Sequence, residues 1–242
     1  RITVQIDGGS YGTLHASASV SGATGRIDYS AGVAQLNTDN RVPNSRLENS
    51  TLSANVGVSL GARATLRTIV RTELEQVGTP GPTAFGRPDL DAFFDRDDAV
   101  LSLAFEQTPT ASFRQRAVYS LSRSQQTSTN LHADPPFTAG FQGRAALFES
   151  MDFLTDARND LRRHHASYQA DVRLASAAGA GGPPLTLRAG WVGGRVEQGQ
   201  DFPHVRSAIV CAQPGASVQH QILWPRVFAT VGARIEHNDS FS

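Results

Sequence analysis

Asn49–Gly61 reads NSTLSANVGVSLG, and the fold follows from how this stretch is read. Leu52, Ala54, Val56, Val58 and Leu60 hold the even positions, while Thr51, Ser53, Asn55, Gly57 and Ser59 hold the odd ones. Successive side chains of an extended strand point to opposite faces, so this period of two predicts a strand with one apolar and one polar face. A helix would need apolar residues three and four apart instead.

The same rhythm recurs on both sides of this stretch. Leu14, Ala16, Ala18 and Val20 alternate with His15, Ser17, Ser19 and Ser21, and Ile27, Tyr29, Ala31 and Val33 alternate with Asp28, Ser30 and Gly32. Further along, Ala166, Tyr168, Ala170, Val172 and Leu174 alternate with Ser167, Gln169, Asp171 and Arg173. Near the end, Val227, Ala229, Val231, Ala233 and Ile235 alternate with Thr230, Gly232, Arg234 and Glu236. The pattern predicts an all-β antiparallel up-and-down meander of about eleven strands. Their approximate ranges are 2–7, 13–21, 26–36, 48–60, 62–76, 98–107, 112–124, 164–174, 185–197, 217–223 and 226–237.

Several runs reach roughly the ten residues of a tilted membrane-spanning strand. Soluble strands usually stop near five or six. The polar positions carry Arg67, Arg71, Glu73, Arg116, Arg173, Arg188 and Arg234 in mid-strand. A water-filled lumen or a solvated face accepts such charges, whereas a sandwich core does not. Connections alternate short (Ser21–Arg26, Gly61–Arg63, Thr108–Ala111, Leu223–Arg226) and long (Asn37–Glu48, Val77–Asp97, Ser124–Arg163, Gln198–Ser217). Ala175–Pro184 falls at a short position and is somewhat long. Outer-membrane barrels sort their connections in this way, with short periplasmic turns and long extracellular loops. Within the longest loop, Met151–His164 admits a short helix with Leu154 and Leu161 on one side.

Composition constrains the function less. No apolar run approaches the ~20 residues of a membrane helix, a test that is blind to barrels. The formal net charge is zero, so nothing points to nucleic acid or to any other strongly charged partner. The chain contains no Lys, and Arg supplies all 22 of its Lys-or-Arg cations. The single cysteine, Cys211, has no partner for an internal disulfide.

Four stretches carry a family likeness. GGSYGT (Gly8–Thr13) followed by GRIDYS (Gly25–Ser30), then NSTLSANVGVSLG (Asn49–Gly61) and VGARIEHNDSF (Val231–Phe241), resemble in order and spacing the first half of the barrel of TonB-dependent receptors. The likeness is closest to the vitamin B12 (cobalamin) receptor subgroup. It departs from that pattern between Pro203 and Gln221, where HVRSAIVCAQPGASVQHQ leaves the tenth strand unclear. The resemblance implies that residues 1–242 form one partial barrel domain, half of a transmembrane barrel and open as a fragment. It also implies a TonB-contacting plug upstream, and about eleven more strands downstream. The implied partners are outer-membrane lipid, a small-molecule nutrient and the TonB complex, reached through the plug.

Candidate sites are few. Asp89, Asp91, Asp95, Asp97 and Asp98 crowd one long connection, and relatives of the cobalamin type use calcium in extracellular loops; a solvated acidic loop is the plainer reading. Phe85, Phe93 and Phe94 in the same connection either contact ligand or pack the loop on itself. His164 and His165 follow Asp152, Asp156 and Asp160, but adjacent histidines in a strand face opposite ways and share no metal. Tyr11, Tyr119, Tyr168, Trp191 and Trp224 are candidates for interfacial girdles. Nothing fixes a Ser-His-Asp geometry, so no enzyme is expected. The reading expected is an active-transport receptor for a scarce nutrient such as cobalamin or an iron chelate. A passive porin and a soluble β-sheet binding module are the alternatives.

Overall fold

A computed structural model of the chain describes residues 1–81, 88–148, 154–174, 185–202, 205–212, 215–224 and 227–237. The strands are β1 (Ile2–Gly8), β2 (Leu14–Thr24), β3 (Ile27–Thr38), β4 (Leu47–Ser59), β5 (Ala64–Gly78), β6 (Phe93–Thr110) and β7 (Phe113–Asn130). They continue with β8 (Phe137–Phe141), β9 (Arg144–Phe148), β10 (Thr155–Leu174), β11 (Leu185–Phe202), β12 (Val205–Ala212), β13 (Gly215–Trp224) and β14 (Val227–Glu236). Among the described residues every pairing is antiparallel, and the main sheet runs β1-β2-β3-β4-β5-β6-β7-β10-β11-β13-β14 without closing. This path is the predicted meander of eleven strands.

The register shows why the alternation is so regular. Arg71 pairs with Ser53 and Val100, and Glu73 with Thr51 and Asp98. Arg116 pairs with Glu106 and Gln169, Asp171 with Arg188, and Ser217 with Arg234. Followed strand by strand, Arg71, Arg116, Arg173 and Arg234 share one polar face, as expected. Ile69, Val100 and Val118 also lie on that face. The opposite face is apolar: Val70 pairs with Ala54 and Leu101, and Leu101 pairs with Leu121.

No core covers that apolar face. Ala92 is the one buried apolar residue among the described residues, whereas Val33 (51%), Leu52 (41%), Trp191 (47%) and Ile235 (78%) remain open. The accessible surface is 16472 Å². A folded monomer of this mass exposes about 10,500 Å². A contiguous apolar face of this size marks an interaction surface.

Three expectations about the connections change. Met151–His164 is not a helix where it is described: Thr155–Leu174 forms one continuous strand that pairs along its length with β7 and β11. The expected loops Ser124–Arg163 and Gln198–Ser217 are largely strand, and Val77–Asp97 is shortened at its end by β6, because β6, β7, β10 and β11 extend well past the apolar stretch. The uncertain tenth strand is long. Arg195 pairs with Ala212 and Val192 with Gly215, three residues apart on both sides, so β12 and β13 are two segments of one strand in a single register. The hairpin β8–β9 forms a separate two-stranded sheet within a stretch whose sequence predicts only loop.

Candidate functional site

The polar face is laced with ion pairs, placed by strands whose odd or even positions all point the same way. At the end with the short turns, Arg67 donates to both oxygens of Asp28 (2.8 and 3.1 Å) and to Asn55 Oδ1 (2.6 Å). Arg67 reaches Asp28 over Gly57, where an added Cβ would lie 2.6 Å from Arg67 Nη2. Nearby, Glu106 accepts from Arg114 (3.0 Å) and pairs with Arg116 (3.3 Å), and Arg188 Nε donates to Asp171 (2.6 Å). Arg173 joins Glu106, Arg114, Asp171 and Arg188 around a hollow of about 1080 Å³. This end is cationic: Arg114, Arg116, Arg173 and Arg188 outnumber Glu106 and Asp171.

Toward the loop end the sign reverses. Arg96 lies 3.2 Å from Glu73, 3.4 Å from Glu75 and 3.6 Å from Asp98. Asn49 donates to both glutamates (2.8 and 3.3 Å). Three carboxylates around one guanidinium leave this patch acidic. The polar face therefore runs from cationic to anionic along the strands.

Above it, three connections are tied together. Asn44, at a positive φ of 55°, donates to the carbonyls of Asp89 (3.0 Å) and Ala92 (2.8 Å). Asp89 Oδ1 accepts the N–H groups of Asp91 and Ala92, both at 3.0 Å, and Asn130 donates to Asp89 Oδ2 (2.8 Å). Asp91 Oδ2 accepts the backbone N–H of His132 (3.1 Å) and bonds its Nδ1 (2.9 Å). The His132 imidazole at that distance, with its backbone N–H, holds the Asp91 carboxyl below its ordinary value of 3.8. Gly78 is required beneath this knot, because a Cβ there would come within 2.8 Å of the Asn44 backbone carbon.

The five aspartates do not converge. Asp89 and Asp91 organise the loop, Asp95 and Asp97 sit on β6 on the apolar side, and Asp98 faces the polar side. Phe93 and Phe94 are in β6 and point to opposite faces, while Phe85 lies outside the described residues. His164 and His165 also split. His164 Nδ1 meets Tyr119 OH at 2.8 Å on the apolar side, and His165 pairs with Ser120 on the polar side. Asp156 and Asp160 belong to β10, and Asp152 lies outside the described residues. Tyr119, Tyr168 and Trp191 are on the apolar face, where Tyr168 donates to Gln115 (2.9 Å). Tyr11 sits in the turn after β1, and the Trp224 side chain lies outside those described. The Asn44–Asp89–Asn130 knot joins positions up to 86 apart in sequence, and no local motif announces it.

No family profile and no curated protein matches the chain. Solved structures do. The P. aeruginosa receptor FpvA, bound to heterologous pyoverdines, matches over 97% of this chain and 36% of its own, at TM-score 0.69 and 9% identity. BauA, the ferric preacinetobactin receptor of Acinetobacter baumannii, matches over 96% and 40%, at TM-score 0.68 and 13% identity. The ferric citrate transporter FecA matches over 98% and 37%, at TM-score 0.64 and 10% identity. The chain thus spans well under half the length of these structures, and at these identities the likeness is one of fold. Its sheet has the fold of part of the barrel found in outer-membrane transporters.

Proposed function

We propose that these strands belong to an outer-membrane active-transport receptor for a scarce, bulky nutrient, energised through TonB. The observation that carries this reading is the uncovered apolar face, continuous over eleven strands, backed by a charged polar face. Lipid is the solvent that stabilises the first, and a water-filled or plugged lumen accommodates the second. The structures it resembles are receptors or transporters for pyoverdine, preacinetobactin and ferric citrate, which favours an iron chelate as cargo. Cobalamin, suggested by the sequence stretches around Gly8–Thr13 and Val231–Phe241, is the second candidate.

Uptake decides between them. The full-length receptor, expressed in a strain lacking its own iron-chelate and cobalamin receptors, is expected to restore ferric-siderophore uptake only when TonB is present. Restoration of cobalamin uptake alone would move the cargo to the second candidate. Uptake of small solutes independent of TonB would replace the receptor reading with a porin.

A further inference from the structure

The turn end of the polar face carries more cations than its own carboxylates neutralise. Arg63, Arg114, Arg173 and Arg188 line the hollow of about 1080 Å³, against Glu106 and Asp171 alone. The ladder places them together. Glu106 pairs with Arg116, Arg114 with Asp171, and Asp171 with Arg188. Arg173 is the next position on the same face of β10, and its backbone N–H donates to the Ser112 carbonyl in the β6–β7 turn (2.7 Å). Arg63 comes from the neighbouring β4–β5 turn.

Both carboxylates are already engaged. Glu106 is shared by Arg114 (3.0 Å) and Arg116 (3.3 Å). Asp171 accepts Arg188 Nε (2.6 Å) and the Gln169 amide (3.2 and 3.1 Å). Arg63 donates to the Pro109 carbonyl, which leaves its charge uncompensated. Arg173 is exposed, and among the described residues its guanidinium has no partner. The remaining polar lining is hydroxyl, from Ser59, Thr65, Thr108, Thr110 and Ser112, and each hydroxyl can donate to an oxyanion. A concave surface lined by one sign of charge focuses its field and concentrates counter-ions. Guanidinium forks match the paired oxygens of carboxylate and phosphate. The hollow is at the upper end of the ~300–1,000 Å³ typical of small-molecule sites. At the loop end of the same face, Glu73, Glu75 and Asp98 crowd Arg96 and repel anions, so an anion is drawn to the turn end alone.

We infer that this hollow is a binding site for a small multivalent oxyanion, a ligand with two or more carboxylate or phosphate groups. Arg173 supplies the free fork, and Arg114 and Arg188 flank it. The inference goes beyond the transport reading, because it asks only that the polar face be open to water, whatever the barrel carries. The test is isothermal titration of the full-length polypeptide, refolded in detergent micelles at ~0.15 M salt. The probes are inorganic pyrophosphate and propane-1,2,3-tricarboxylate. Wild type is expected to bind a probe at one site, and Arg173→Gln to weaken that binding about 10- to 100-fold. Arg173→Gln removes no side-chain contact among the described residues, and circular dichroism checks that it is folded. Arg71→Gln removes one cation from the same face, on the rung of Ser53 and Val100 and away from the hollow, and is expected to match wild type. Binding of pyrophosphate alone assigns phosphate as the ligand group, and binding of the tricarboxylate alone assigns carboxylate. No binding of either probe, equal affinity in Arg173→Gln, or an equal loss in Arg71→Gln would overturn the inference. TonB-dependent uptake is read separately. Uptake without anion binding sinks this inference and leaves the transport reading intact, whereas anion binding without uptake does the reverse.

Discussion

Leu103 and Ser102 are neighbours in sequence and opposites in environment. Leu103 lies in the middle of the apolar run on β6, between Thr68 and Tyr119, and is 37% exposed in the isolated sheet. Ser102 faces the polar side, paired with Ile69 and Ser120, and shares a 3.0 Å hydroxyl contact with Ser120. If the apolar face meets lipid, Leu103→Arg places a guanidinium near the bilayer midplane at a cost of about 2–4 kcal/mol. That cost corresponds to a folding equilibrium weakened roughly 30- to 700-fold. Ser102→Arg puts the same side chain into the lumen beside other polar groups. It gives up one hydroxyl contact, worth about 0.5–1.5 kcal/mol. The assay is urea-dependent refolding of the full-length polypeptide into phosphatidylcholine vesicles, followed by the gel shift of the folded barrel. Leu103→Arg should lower the urea midpoint far more than Ser102→Arg. Equal losses, or a larger loss for Ser102→Arg, would refute the assignment of the two faces.

Gly57→Ala should displace Arg67 from Asp28. This half-exposed pair is worth about 0–1 kcal/mol, and the cost should shrink in an Arg67→Ala background, which a double-mutant cycle in the same vesicles would show. Asn44→Ala removes both side-chain bonds to the Asp89 and Ala92 carbonyls, leaving groups whose loss costs about 1–3 kcal/mol. The measurable result is faster hydrogen exchange and proteolysis at residues 88–92, with the strands unchanged. The lowered Asp91 pKa sets the sign of a pH effect: its contribution to loop order is complete above 3.8 and is lost as pH falls through the lower folded value. Exchange at the His132 amide, which Asp91 accepts, should therefore stay protected down to about pH 4 in wild type. Asp91→Asn should be less protected at neutral pH, and the two proteins should converge in stronger acid.

The two faces were legible in the sequence wherever one face of the sheet is polar and the other apolar. Thr51–Leu60 alternates because its odd residues face the polar side of the sheet and its even ones the apolar side. Beyond the apolar band both faces are largely polar, so the alternation disappears although the strands continue. Arg123–Asn130 reads RSQQTSTN, polar throughout, and Asp156–Arg163 reads DARNDLRR, apolar only at Ala157 and Leu161, and the sequence placed nearly all of both in the long connection. In the structure they pair residue by residue, from Thr129 with Asp156 to Ser122 with Arg163. Backbone hydrogen bonding leaves no side-chain signature there. The loop knot was equally hidden: Asn44, Asp89 and Asn130 are ordinary turn residues until three hairpins bring them together.

The sheet's two edges impose a final constraint. Among the described residues β1 pairs with β2 alone and β14 with β13 alone. Each outer edge therefore presents backbone N–H and C=O groups without a ladder partner. In hydrocarbon every such group costs several kcal/mol. The apolar face asks for lipid, and the edges forbid it for as long as they stay open. Both demands are met only when further strands pair with β1 and β14. Residues 1–242 alone are accordingly expected to associate through their edges rather than to span a bilayer as a monomer. Refolded together with the remaining strands of the receptor as a second polypeptide, they should regain urea-resistant insertion. A urea-resistant, protease-protected monomer formed from this chain alone in phosphatidylcholine vesicles would show that the edges are satisfied some other way and are no barrier to insertion.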